Sequence, residues 1–108
     1  RTLGQKTFTF RPRAGKRFVK RVPRGLAQAT FFAGWGNGAY QLTLTDPRGR
    51  KHTVRRPGKG VAFRRGATFA FYRVTRPRPG RWTVELRNVR LTKASDQGKI
   101  SITTPRKR

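Results

Sequence analysis

Residues 39–50 read A-Y-Q-L-T-L-T-D-P-R-G-R, and their strict alternation narrows the choice of fold more than any other feature of the chain. Tyr40, Leu42 and Leu44 alternate with Gln41, Thr43 and Thr45, the period of two of a strand buried on one face. The run stops at Asp46-Pro47-Arg48-Gly49. Pro47 pre-sets φ for a turn, the Asp46 side chain can accept from the backbone ahead of it, and Gly49 tolerates positive φ. A second stretch repeats the design. After the turn residues Pro77-Arg78-Pro79-Gly80, the residues Trp82, Val84 and Leu86 alternate with Arg81, Thr83, Glu85 and Arg87. Two turn-bounded alternating strands predict an all-β, antiparallel two-sheet β-sandwich of jelly-roll-like type. Its core should contain Tyr40, Leu42, Leu44, Trp82, Val84 and Leu86.

The remaining segments fit that frame. Strands are expected at 6–10, 16–22, 26–33, 61–63 (short), 67–75 and 98–103, with 51–54 a candidate return strand of a hairpin, and the total read is seven or eight. Turn signals fall roughly every 8 to 12 residues, as in sandwiches and barrels, and no stretch shows a helical stripe. Residues 88–97 lack a clean period and are expected to be a connection. Arg64-Arg65-Gly66 is expected to be a turn. Residues 26–33 and 67–75 are apolar in both phases, which marks central strands or a second contact surface. The 108 residues make one domain, 1–108, with a basic lead-in at 1–5 and a basic tail at 104–108.

One resemblance adds to this. Phe8-Thr9-Phe10, the strand ending L-T-L-T-D-P-R-G (42–49), and Y-R-V-T-R-P-R-P-G-R-W-T-V-E-L (72–86) resemble the pre-peptidase C-terminal domains and related jelly-roll modules of bacterial and archaeal secreted proteins. The likeness spans 8–102 and rests on turn and core residues. It implies a secreted, non-catalytic accessory module. Such domains are commonly acidic or neutral, and this chain departs from them sharply.

The departure is its charge. Lys and Arg number 28 against three acids, Asp46, Glu85 and Asp96, for a formal net charge of +25. Arginine outnumbers lysine 20 to 8. A GC-rich coding bias or acidic surroundings would also enrich arginine. Its planar fork, however, is the side chain suited to phosphate, carboxylate and stacked planes. The candidate phosphate-binding residues are Arg11, Arg13, Lys16, Arg17, Arg48, Arg50, Lys51, Arg55, Arg56, Lys59, Arg64, Arg65, Arg76, Arg78 and Arg81, spread through successive turns and outward phases. Trp35, Phe31, Phe69 and Phe71 are candidates for base stacking or subunit contact, with Trp35 equally suited to plugging one end of the sandwich.

Catalysis finds little to work with. There is one histidine, His52, no cysteine, and three acids scattered in sequence. General acid–base or nucleophilic chemistry requires such groups together. Asp46 reads as a turn residue and Glu85 as half of a cross-strand ion pair. The glycine loop 34–38 is followed by a strand, not by the helix that a phosphate-cradling loop needs. No enzyme, cofactor or metal is expected. No apolar run approaches the roughly 18 residues of a membrane span.

These features predict a secreted, non-enzymatic protein that binds nucleic acid, DNA favoured, or another polyanion, without sequence specificity. The absence of methionine and the start at Arg1 suggest removal of a signal peptide or of the rest of a longer chain. A charge of +25 balances on the order of 12 base pairs of duplex. Because the charge is spread around the domain, a homo-oligomeric coat formed on the polyanion is expected. The alternatives are an accessory or adhesion domain of a larger secreted protein that meets acidic glycans or an acidic protein, and a ribosomal-protein-like RNA binder.

Overall fold

The computed structural model describes residues 2–11, 13–53, 58, 60–90 and 95–105. Within them the alternating segments form β1 (Thr2–Phe10), β2 (Gly15–Val22), β3 (Gln28–Trp35), β4 (Ala39–Thr45), β5 (Lys51–His52), β6 (Val61–Arg65), β7 (Phe69–Thr75), β8 (Gly80–Arg90) and β9 (Asp96–Thr103). That is nine strands among the described residues, against the seven or eight expected, because the two-residue β5 and the edge strand β6 both pair.

The pairing follows one long folded ribbon. β1 pairs with β9, β2 with β8, β3 with β7 and β4 with β5, all antiparallel. Rolling the ribbon then joins β9 to β3 and β8 to β4. The product is a five-stranded sheet, β1-β9-β3-β7-β6, facing a four-stranded sheet, β2-β8-β4-β5. This is a jelly-roll sandwich with β6 added at one edge.

The inward phase of each strand makes the core. Phe10, Phe31, Tyr72, Ile100 and Ile102 from the larger sheet meet Val22, Leu42, Leu44, Trp82, Val84 and Leu86 from the smaller. Phe31 stacks on Trp82 with centroids 5.0 Å apart. Tyr72 ties the sheets together by donating its hydroxyl to the Leu42 carbonyl at 2.6 Å, and burial pushes its phenol up to about 12. Burying the alternate residues of eleven-residue β8 and its neighbours leaves the opposite phase free to carry charge.

Four expectations need correcting. Residues 2–5 are not a lead-in outside the sandwich, because β1 begins at Thr2 and pairs with β9 from there. Residues 88–97 are not a plain connection: β8 continues to Arg90 and β9 begins at Asp96. The period there is hidden because the inward residues, Asn88, Asp96 and Gly98, are not apolar. Arg64 and Arg65 lie in β6, not in a turn, since β6 pairs through Arg65 with Ala70 of β7. Phe31 is no surface contact. It is fully buried, in phase with Ala29 and Ala33, and Phe32 takes the outward phase instead.

Alternating strand directions collect the connections at two ends. One end holds the turns after β2, β4 and β7 together with the start of β1 and the end of β9, and the other holds the turns after β1, β3 and β6. At the first end Asp46 does what its position predicts. Gly49 N–H donates to the Asp46 carbonyl at 2.9 Å, Arg48 and Arg50 N–H donate to its Oδ1 at 2.9 Å, and Gly49 has φ +85°. The Pro77 turn packs directly on it. A Cβ at Gly80, where φ is +130°, would stand 3.0 Å from the Pro47 ring. Trp82 Nε1–H closes the corner on the Arg78 carbonyl at 2.7 Å.

Candidate polyanion-binding surface

The meeting of these two turns gathers Arg48, Arg50, Arg76 and Arg78, all exposed, at one end of a body measuring 42 × 26 × 21 Å. The outer face of the smaller sheet continues from there. Its outward residues are Arg17, Val19 and Arg21 on β2, Arg81, Thr83, Glu85 and Arg87 on β8, Gln41, Thr43 and Thr45 on β4, and Lys51 on β5. Cross-strand register sets Lys51 beside Thr45, Thr45 beside Thr83, and Arg21 beside Arg81. A shallow open trough of about 260 Å³ runs among Arg17, Thr43, Thr45, Lys51, Thr83 and Glu85. Hydroxyls on a sheet floor, rimmed by cations, can hydrogen-bond and neutralise a phosphate without reading a base.

Each of the three acidic side chains has a partner within the chain. Glu85 Oε2 meets Arg17 Nη2 at 3.7 Å across the β2–β8 pair, both side chains well exposed. Asp46 holds its turn, and its Oδ2 lies 3.7 Å from Nε2 of His52, whose buried ring lies parallel to Trp82. Asp96, buried, accepts from Gly36 N–H at 3.1 Å, Asn37 N–H at 3.2 Å and the Tyr40 hydroxyl at 2.8 Å. Burial alone would raise its carboxyl, but the hydrogen bonds from Tyr40, Asn37, Gly36 and Gln97 outweigh burial and hold it below the usual carboxylate range. The Tyr40 phenol is pushed up by burial and by the same carboxylate. Among the described residues Arg17 is the one arginine with a carboxylate partner. Among the described residues the formal charge of +25 is therefore little compensated from within.

The expected site residues do not form one patch. Arg48, Arg50, Lys51, Arg76, Arg78, Arg81 and Arg17 share the surface just described. Arg11 and Arg13 lie in the turn at the opposite end, where Arg13, with φ 63°, donates its N–H to buried Asn88. Lys16 is half-buried, in phase with Phe18 and Val22 at the open edge between the sheets. Arg64 and Arg65 stand on the β6 edge of the other sheet. Arg55, Arg56 and Lys59 fall outside the described residues. Sequence reasoning passed over Thr43, Thr45, Thr83 and Arg21, whose shared outward phase was readable but whose adjacency depends on register.

Trp35 ends β3 and closes the far end of the sandwich. It packs on Tyr40 with centroids 4.9 Å apart and donates Nε1–H to the Ala67 carbonyl at 3.2 Å. Beside it is a cleft of about 200 Å³ lined by Gly38, Ala39, Tyr40, Arg65, Gly66 and Ala67. The glycine loop is not a free turn, because Asp96 anchors it. Among the described residues no group of three His, Cys, Asp or Glu side chains could hold a metal ion, and no helix is long and apolar enough to cross a membrane.

Fold and surface together define an arginine-rich jelly-roll sandwich whose charge is not compensated from within. No protein-family model matches the chain, and no curated protein sequence does. Solved structures do share the fold. The chain is similar to part of the Bacillus licheniformis lipase BlEst2, crystallised in propeptide form, with a TM-score of 0.61 at 14% identity over 94% of this chain and 22% of the lipase chain. It is also similar to PliG of Aeromonas hydrophila, a periplasmic inhibitor of g-type lysozyme, with a TM-score of 0.53 at 12% identity over 93% of this chain and 85% of that one. At these identities the likeness is one of fold.

Proposed function

We propose that this chain is a secreted, non-enzymatic protein that binds nucleic acid, DNA foremost, through its phosphates and without sequence specificity. The observation that carries the reading is that Asp46 and Asp96 are engaged in the fold and Glu85 pairs with Arg17, while the other described arginines of that sheet face and of one end have no carboxylate partner. Like charges crowded on one body repel, and a polyanion relieves that repulsion. Arginine forks and threonine hydroxyls on strands and turns suit backbone phosphates. With cations at both ends and on both sheets, one straight duplex covers only part of the domain. Several molecules side by side on the polymer would neutralise the rest, so a coat is the assembly that fits.

The test is salt dependence. Log affinity for random-sequence duplex should fall against log salt with a slope of about −0.9 per phosphate contacted. A domain contacting roughly six to ten phosphates loses about 10³–10⁵ in affinity between low and moderate salt. Replacing Arg48, Arg50, Arg76 and Arg78 by Gln should flatten the slope, while scrambling the DNA sequence should change little. Equal competition by heparin would broaden the ligand to polyanions in general. No binding to either polymer at about 50 mM salt would reject the proposal. That result would favour a second reading, an accessory domain of a longer secreted chain.

A further inference from the structure

The outer face of the five-stranded sheet carries a feature that phosphate binding does not use. Phe32 on β3 and Phe69 and Phe71 on β7 all take the outward phase. Their rings run nearly parallel: Phe32 and Phe69 have centroids 6.1 Å apart at 13°, and Phe69 and Phe71 have centroids 6.4 Å apart at 10°. Glycines make room for them. A Cβ at Gly34 would come within 3.2 Å of the Phe32 ring, and one at Gly66 would overlap the ring of Phe69. Phe69 nevertheless remains 37% exposed.

Cations frame this row. The Arg73 guanidinium lies 5.5 Å from the centroid of Phe71. Arg64 is the cross-strand neighbour of Phe71 on β6, and Lys99 of β9 lies beside Gly34. No carboxylate shares the face: Asp46 is in a turn at the end, Glu85 is on the other sheet and Asp96 points inward.

Resting on the phosphate-binding reading, we propose that this face is a stacking platform for unpaired nucleobases of a single-stranded nucleic acid. Every base has a flat π-face, so aromatic side chains on a sheet face can take bases regardless of sequence, while neighbouring cations take the phosphates between them. Arg73 adds a cation that can share the base plane with Phe71. A duplex cannot use the platform, because its bases already stack on one another. A second copy of this chain fits the face poorly. It would set Arg64, Arg73 and Lys99 against cations of another molecule of net charge +25, with no carboxylate between.

The test compares two oligomers with equal numbers of phosphates, an oligothymidylate and an abasic oligonucleotide, each about a dozen residues long. The protein should bind the oligothymidylate at least about tenfold more tightly, the factor expected of a single stacked base. Phe69→Ser with Phe71→Ser should erase that ratio and leave abasic affinity and its salt slope unchanged. Phe69→Leu with Phe71→Leu, which keeps apolar cover on the sheet, should erase it too. A ratio near one in the unaltered protein, or a ratio that survives both variants, overturns the platform while phosphate binding stands. A dimer formed without nucleic acid and dissolved by the serine variant also overturns it, because a second copy would then occupy the face. Failure of both oligomers to bind at about 50 mM salt removes the phosphate reading and the platform with it.

Discussion

Asp96→Asn is the substitution that most directly tests how the far end of the sandwich is held. The carboxylate takes Gly36 N–H on both oxygens at 3.1 Å, Asn37 N–H at 3.2 Å and the Tyr40 hydroxyl at 2.8 Å. Hydrogen bonds to a charged group are worth roughly 1.5–3 kcal/mol each, neutral ones roughly 0.5–1.5. The amide keeps one oxygen for the backbone, removes the charge from three bonds, and points an N–H₂ group at a donor or at the Tyr40 hydroxyl. Tyr40 can turn to accept, and water reaches exposed Gly36, so the lower end applies: a loss of about 2–3 kcal/mol. Urea unfolding at constant ionic strength, followed by the fluorescence of Trp35 and Trp82, measures it as a lower midpoint at unchanged slope. The difference should also depend on pH. The folded carboxyl titrates below its unfolded value, so its contribution is complete above the unfolded value and disappears as pH falls through the folded one. The gap between parent and variant should therefore narrow below about pH 4. In a double-mutant cycle with Tyr40→Phe the two losses should couple by about 1 kcal/mol. A cost of a few tenths, a pH-independent gap, or simple additivity would refute the anchor.

Trp82→Ala should cost about 3–5 kcal/mol in the same unfolding assay, since the indole is buried between Phe31 and His52, and a loss of a few tenths would contradict its place in the core. Glu85→Gln should tighten DNA binding and barely change stability. It frees Arg17 on the cationic face, and an exposed pair of this kind is worth about 0–1 kcal/mol. Weaker DNA binding by this variant would argue against that face as the phosphate surface.

What the sequence made legible was local. The Asp46 turn could be read because its donors, Arg48 and Arg50, lie two and four residues away. The strands 40–45 and 81–87 could be read because one phase of each is wholly polar. Asp96 could not, since its partners Tyr40 and Gly36 lie 56 and 60 residues away, and nothing near it in sequence marks an acceptor. Phe31 and Phe32 present both phases as phenylalanine, and only their neighbours separate them: Ala29 and Ala33 are small and apolar beside Phe31, whereas Thr30 flanks Phe32. Arg65 before Gly66 looks like a turn until β7 supplies a strand to pair with. The candidate surface was legible residue by residue but not as a surface. Arg48 and Arg78 are distant in sequence, and only the jelly-roll path brings the Pro47 and Gly80 turns into contact.

That division bears on how the chain remains folded at its charge. A sandwich core needs one phase of each strand, and here that phase is mostly apolar; Asn88 and Asp96 are exceptions that tie down turns, His52 is buried against Trp82, and Lys16 is half-buried at the β2 edge. The other phase and the turns are structurally free, and they are where the arginines lie. Charge and fold thus occupy separate residues, so the cationic surface can vary with the partner without altering the core. The two remain linked thermodynamically. A polyanion that binds the folded domain more tightly than the unfolded chain stabilises it in proportion to the logarithm of its concentration. Repulsion among like charges on a body of formal charge +25 opposes the compact state. Under the proposed function, a bound polyanion would act both as ligand and as the counter-charge that the three carboxylates do not provide.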